Sequence, residues 1–175
     1  MSKIGVVAKP QGERLKLRLI HDLKRSGVIN RVTVRERVVL PRLHDAVEGI
    51  LDLIHQHGGC EWELFGSDFS DAFKQIKVAQ CEQKYLTGKA LQGYFKYLTV
   101  LFGIKSGPLI WGRNAALLMR ITAAMMHDKG VRAQCFVDDP PIALAGPEAD
   151  RFKHLVFIVL LWLALGYKIN WKKGS

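Results

Sequence analysis

The chain has 175 residues, 49% of them hydrophobic, which is enough for one domain with a real core and excludes global disorder. Its 26 Lys and Arg against 16 Asp and Glu leave a formal charge of +10, which favours a polyanionic partner, nucleic acid ahead of an anionic membrane. Three dispersed cysteines (Cys60, Cys81, Cys135), odd in number and without a CxxC pair, read as reduced intracellular thiols.

Residues 1–10 lack the long apolar region of a signal peptide, so secretion is not expected. An apolar run over 3–8 and an alternating apolar and basic run over 15–20 predict a hairpin bent at Gln11-Gly12. Residues 31–40 are charged and β-branched without periodicity and predict an irregular connection. Pro41 suits a first helical turn, and Leu43, Val47, Ile50, Leu51 and Ile54 follow helical spacing up to Gly58-Gly59. His55, His57 and Cys60 lie close together, but no second cluster with finger spacing follows, so a solvated helix end is expected there rather than zinc.

Residues 60–69 predict a strand leading into Asp68, and Asp71 is placed to open a short helical segment. Residues 94–101 are aromatic and β-branched and predict another strand. After a loop over 103–108, Pro108 starts a long helix with an apolar face of Leu117, Leu118, Ile121, Met125 and Met126, ended by Gly130. A hairpin tipped by Asp138-Asp139 follows. Residues 148–165 predict a buried helix, because the apolar run 155–165 falls short of the roughly 20 residues that a membrane span needs. Residues 167–171 are a last strand candidate. This order predicts an α+β fold, with helices on one face of an antiparallel sheet.

Phe136-Val137-Asp138-Asp139 sets two adjacent carboxylates between two strand-like runs, where at least one reaches an exposed tip. Taken alone, an Asp pair is common in surface turns. A second acidic cluster lies upstream in Ser67-Asp68-Phe69-Ser70-Asp71-Ala72-Phe73. If the strand end at Asp68 lies beside the hairpin, three carboxylates converge. Such a group favours hard divalent cations that share their shell with phosphates.

Five segments occur in an order that resembles the fingers and palm of retrotransposon and retroviral reverse transcriptases, over about residues 9–173. Arg18-Leu19-Ile20-His21-Asp22-Leu23 resembles the family's fingers motif. Asp68-Phe69-Ser70-Asp71-Ala72-Phe73 resembles its first catalytic motif. Leu101-Phe102-Gly103-Ile104-Lys105-Ser106-Gly107-Pro108 resembles the loop before its long palm helix. Phe136-Val137-Asp138-Asp139 matches its aromatic-x-Asp-Asp box, and Leu165-Gly166-Tyr167-Lys168 with Trp171-Lys172-Lys173 resembles the next palm motif.

The resemblance implies a palm-like antiparallel sheet packed on helices, with partial fingers over about residues 1–58 and palm over about 59–175. It implies an RNA-directed DNA polymerase that adds dNTPs to a primer 3′-OH with Mg²⁺ or Mn²⁺. Asp68 and Asp138 would be metal ligands, with Asp139 beside them. The main chain of Asp71 and Ala72 would face the triphosphate, and Phe73 would exclude a ribose 2′-OH, which counts against an RNA-templated RNA polymerase. Arg18 and Lys9 would hold the β- and γ-phosphates. Gly103 would let the backbone approach template or nucleotide closely. Lys173, ahead of Lys172, would protonate the leaving pyrophosphate.

The implied partners are an RNA/DNA primer–template and dNTPs, without a membrane. Phe102 departs from the Gln of retroviral members and agrees with many retrotransposon members. Pro140-Pro141 should delay the returning strand to about Ile142 and reshape the tip. With the sequence stopping at Ser175, thumb and RNase H are expected to be absent. A truncated remnant that only binds nucleic acid therefore stays open as the alternative.

Overall fold

A computed structural model describes residues 3–11 and 14–171. They form antiparallel sheets and helices in an α+β arrangement. The chain divides into two compact units, one of residues 1–37 and 73–109 and the other of residues 38–72 and 110–175. It passes between them three times, whereas the sequence reading draws a single boundary near residue 58.

The first unit begins with the expected hairpin, β1 (Lys3–Gln11) against β2 (Arg14–Asp22), in a register that pairs Lys9 with Lys16 and Val7 with Arg18. A single turn, α1 (Val28–Arg31), follows. The expected strand over 94–101 proves to be extended chain with two partners. Its first half is β5 (Gly93–Lys96), paired with β4 (Thr87–Ala90), a strand that the sequence pattern does not announce. Its second half hydrogen-bonds to residues 76–78, with Val78 N donating to Leu98 O and Val100 N to Ile76 O, both at 2.9 Å. At Gly88 in β4 an added Cβ would meet the Phe95 ring, which would have to shift. Phe95, Tyr97 and the buried His21 ring of β2 pack together at centroid distances of 5.3–6.4 Å.

The second unit is built on a three-stranded antiparallel sheet in the order β3 (Trp62–Gly66), β7 (Pro141–Ala145), β6 (Val131–Ala133). Three helices belong to its description: α2 (Leu43–Gln56), α3 (Gly107–Met125) and α4 (Glu148–Ala164). α3 begins in residues of the first unit and runs on into the second. Side chains alternate faces along β7. Ala143 and Ala145 pack against Leu53 of α2, while Leu144 lies with Arg151, Phe152 and Leu155 of α4. The helices α2 and α4 therefore cover opposite faces, which corrects the one-sided packing expected from sequence.

Further corrections concern which side of each element is buried. In α2 the buried contact is Leu53 with Ile50 beside it, whereas Leu43, Val47 and Leu51 are exposed. Pro41 precedes the helix, whose N-cap is Arg42, held by its backbone N–H donating to Asp45 Oδ2 at 2.6 Å. In α3 the inward face is Trp111, Ala115, Leu118, Met119 and Thr122, and both Leu117 and Met125 are exposed. In α4 only one side is buried, so the expected buried helix is corrected to a half-covered one. The run 167–171 forms a single bridge, Ile169 to Phe69, rather than a strand. The returning strand starts late, as expected, one residue before Ile142, with Pro141 as its first residue, a position where a missing N–H is tolerated even in a central strand.

Candidate metal centre

Asp68 sits two residues beyond β3 and is buried at 6% exposure. Its neighbour Phe69 anchors it. The Phe69 ring lies in a cluster with Trp111, Trp162 and Tyr167, at centroid distances of 5.5, 5.3 and 5.6 Å. Backbone bonds tie the segment on both edges. Phe69 N donates to Asp138 O at 2.9 Å, while Ser70 N donates to Lys168 O and Asn170 N to Asp68 O, each at 2.8 Å. The Asn170 side chain adds a 2.9 Å bond from Nδ2 to Asp68 Oδ2.

The opposing carboxylates stand on a tight turn. Phe136 and Asp139 exchange two backbone hydrogen bonds of 3.0 Å, leaving Val137 and Asp138 as a two-residue loop. Such loops require a positive φ at the first central residue, where glycine is usual. Val137 adopts φ 58° instead. For a β-branched residue this is a genuine outlier, with a cost of about 1–3 kcal/mol. Its carbonyl is held from below, accepting from Trp111 Nε1 and from Cys135 Sγ at 3.3 Å. Trp111 thus braces both halves of the centre, through Phe69 and through Val137.

The result is convergence. Asp68, Asp138 and Asp139 each offer a carboxylate oxygen, and these oxygens lie within 4.8 Å of one another. Their exposure grades from buried Asp68 through half-buried Asp138 to exposed Asp139. Carboxylate oxygens are the donors that hard divalent cations prefer, and the mutual repulsion of three of them is what such a cation relieves. The donor set therefore fits a hard divalent cation. The pKa of the buried Cys135 thiol is pushed up to about 12, mainly by burial and further by Asp138 and Asp139.

The other residues singled out from sequence fall as follows. Asp71 is exposed with φ 50° and precedes a 3₁₀ turn (Ala72–Gln75) whose Ala72 is buried. Phe73 belongs to the first unit, half-buried edge-on against Phe102 at 5.0 Å. Gly103 has φ 98°, and a Cβ there would come 3.0 Å from the His21 carbonyl, so its own unit already requires glycine. The backbones of Lys9 and Arg18 lie in β1 and β2, while their side chains lie outside the described residues, as do Lys172 and Lys173. The structure thus brings together the three carboxylates.

Two contributors escape sequence reasoning. Asn170 and Trp111 sit 102 and 26 residues from the groups they hold, Asp68 and Val137. Only the fold makes them neighbours, although an Asn in the last apolar segment was a signal of a polar task there. His55, His57 and Cys60 do not form a ligand group, since among the described residues the three aspartates are the one cluster with metal-binding spacing. Cys60 and Cys81 are exposed free thiols, and Cys135 is a buried one. No helix among the described residues is long and apolar enough to cross a membrane. No protein-family model matches the chain, and no curated protein does.

Proposed function

We propose that the chain is the catalytic portion of an RNA-directed DNA polymerase of the retroelement reverse transcriptase kind. The observation that carries this reading is the convergence of Asp68, Asp138 and Asp139 within 4.8 Å, on a strand end and a braced hairpin tip. An antiparallel sheet that presents both elements, with α4 packed behind it, supports a palm-like role for the second unit. The order of the five sequence segments supports it further. The +10 charge suits a primer–template of RNA and DNA, and the free thiols suit an intracellular setting.

In this reading the three aspartates hold Mg²⁺ or Mn²⁺. When bound, a divalent pair stabilises the attacking and leaving oxygens of phosphoryl transfer. The protein's own part is positional. Phe69, Trp111 and Asn170 keep Asp68 and the tip fixed, so the carboxylate oxygens need little reorganisation. The resemblance, rather than the geometry, would assign Asp71 and Ala72 main chain to the triphosphate, Lys9 and Arg18 to its phosphates, and Phe73 to deoxyribose selection. By the same resemblance Gly103 would lie close to template or nucleotide and Lys173 would be the proton donor.

The test is Mg²⁺- or Mn²⁺-dependent dNTP extension on a primed RNA template, comparing wild type with Asp138→Asn. Extension by wild type and its loss in the variant are expected. Equal signals from the two proteins would refute the reading. A null in both, with salt-sensitive RNA binding, would favour a non-catalytic nucleic-acid-binding remnant. A preference for NTPs would reassign the chain to RNA synthesis.

A further inference from the structure

The positive charge is not shared between the two units. The first carries 16 Lys and Arg against 4 Asp and Glu, a formal +12, and the second 10 against 12, a formal −2. Counting only residues whose side chains are described leaves the same contrast, 11 against 3 and 8 against 12. The division follows the fold, because the chain enters the first unit twice. Within that unit, no Asp or Glu occurs between Glu82 and the unit's last residue, Leu109.

The ribbon of β4 and β5 stands in this stretch, and its two faces differ. Partners in an antiparallel ladder share a face, and alternate residues return to it. Gly88 with Phe95 opposite belongs to one face, where the Phe95 ring packs with Tyr97 and the buried His21. Lys89 opposite Tyr94, and Thr87 opposite Lys96, form the other. All four of these residues are exposed, Tyr94 at 73%. Lys89 therefore stands about 5 Å across the ribbon from Tyr94, and Lys96 about 7 Å along the same strand. At the foot of the ribbon Tyr85 is exposed too, with Lys84 Nζ 5.0 Å from its ring centroid.

We infer that this face binds a single strand of nucleic acid, with a base stacked on Tyr94 and the flanking phosphates on Lys89 and Lys96. The lysines suit any polyanion, but the ring between them suits one that also carries flat π faces. A duplex fits worse, because its stacked bases already cover one another. A bilayer fits worse, because the ribbon has one large aliphatic residue, Leu91, and surface binding to lipid scales with buried apolar area. Packing on the opposite face fixes the ribbon, so little ordering is left to be done on binding. The inference stands apart from the polymerase reading, since no carboxylate of the metal centre takes part.

Fluorescence anisotropy of the full chain in EDTA, with labelled oligo(dT) and oligo(rU) of about 12 nucleotides, tests this. Both strands should bind. Tyr94→Leu should weaken that binding about 5- to 100-fold and leave binding of a duplex of the same length unchanged, whereas Tyr94→Trp should keep it. Lys89→Gln combined with Lys96→Gln should lower the slope of log affinity against log salt by about 1.4, and Lys129→Gln in the second unit should not. Asp138→Asn should bind as wild type does. Circular dichroism of each variant should match wild type, because the substituted side chains on the ribbon are exposed. A wild type that binds neither strand at about 50 mM salt would overturn the inference, as would a Tyr94→Leu protein that binds as wild type does, an unchanged salt slope, or loss of binding in Asp138→Asn. Binding of phosphatidylserine vesicles in place of either strand would also overturn it and assign the face to lipid.

Discussion

Replacing Asp138 by Asn should stabilise the protein without divalent cations and abolish its response to them. Asp138 lies within 4.8 Å of both Asp68 and Asp139, measured between carboxylate oxygens. At that separation two like charges repel by about 0.9 kcal/mol in a water-like medium and about 3.5 kcal/mol at an effective dielectric of 20. Asp139 is exposed and Asp138 half-buried, so the lower figure governs that pair, and it is a floor for the pair with buried Asp68. Removing two such pairs should therefore gain roughly 2 kcal/mol at low salt, or about 4–8 °C in Tm for a chain of this size. Asparagine keeps the shape of the side chain, and the Phe69 N–H bond to the Asp138 backbone carbonyl is untouched.

With Mg²⁺ or Mn²⁺ at ten to a hundred times Kd, wild type should gain about 1.4–2.7 kcal/mol, whereas the variant should gain little. The assay is thermal unfolding in EDTA and in millimolar cation, for both proteins. A variant less stable than wild type in EDTA would show that the carboxylates do not repel one another. A wild-type melt indifferent to both cations would show that the cluster is not a cation site.

Val137 spends backbone strain at φ 58°, so Val137→Gly or Val137→Asn should raise stability by about 1 kcal/mol in urea unfolding; a loss would mean the turn is not strained. Trp162 Nε1 donates to Thr122 Oγ1 at 2.8 Å between two fully buried side chains. Thr122→Val should therefore cost about 2 kcal/mol, and combining it with Trp162→Phe should cost less than the sum, because the orphaned N–H is then gone. Burial holds the His21 pKa below its ordinary value, partly offset by Asp22. The unfolded chain then takes up this proton near pH 6.5 while the folded chain does not. Stability is thus fully present above that pH and falls as the pH drops below it, by up to about 1.4 kcal/mol per unit, and His21→Phe should remove this acid loss. Cys60 and Cys81 should react with a thiol reagent in the native state, and Cys135 only on unfolding, since its pKa is pushed up to about 12. Its contribution to stability is present below about pH 9 and is lost as the pH rises towards 12, a slope that Cys135→Ala should flatten.

Much of the local order was legible in the chain. The β1–β2 hairpin, the helix opening at Gly107-Pro108, the helix from Glu148 and a turn beside the Asp pair, centred on Val137-Asp138 and so one residue earlier than expected, all rest on breakers and periodicity, which act over a few residues. The aspartates were also legible, because two carboxylate clusters at strand ends are rare enough to stand out. Less legible were the buried faces. Apolar spacing in α2 and α3 was broad enough to suit several rotations about the helix axis, and the packing of Leu53 on Ala143 and of Trp111 on Phe69 chose among them. The pairing of β4 with β5 was equally hidden, since Thr87–Ala90 carries no strand pattern of its own.

The sequence by itself determined the composition of the candidate centre, three carboxylates and a tight turn between short strands, and the chain's excess of positive charge. Those properties belong to residue types and near neighbours. The tertiary structure alone decided that Asp68 meets Asp138 and Asp139, that Trp111 and Asn170 brace them, and that α4 keeps an uncovered apolar side. Each depends on contacts between residues far apart in the chain, whose geometry is set by which faces the sheet and helices bury and not by any local preference.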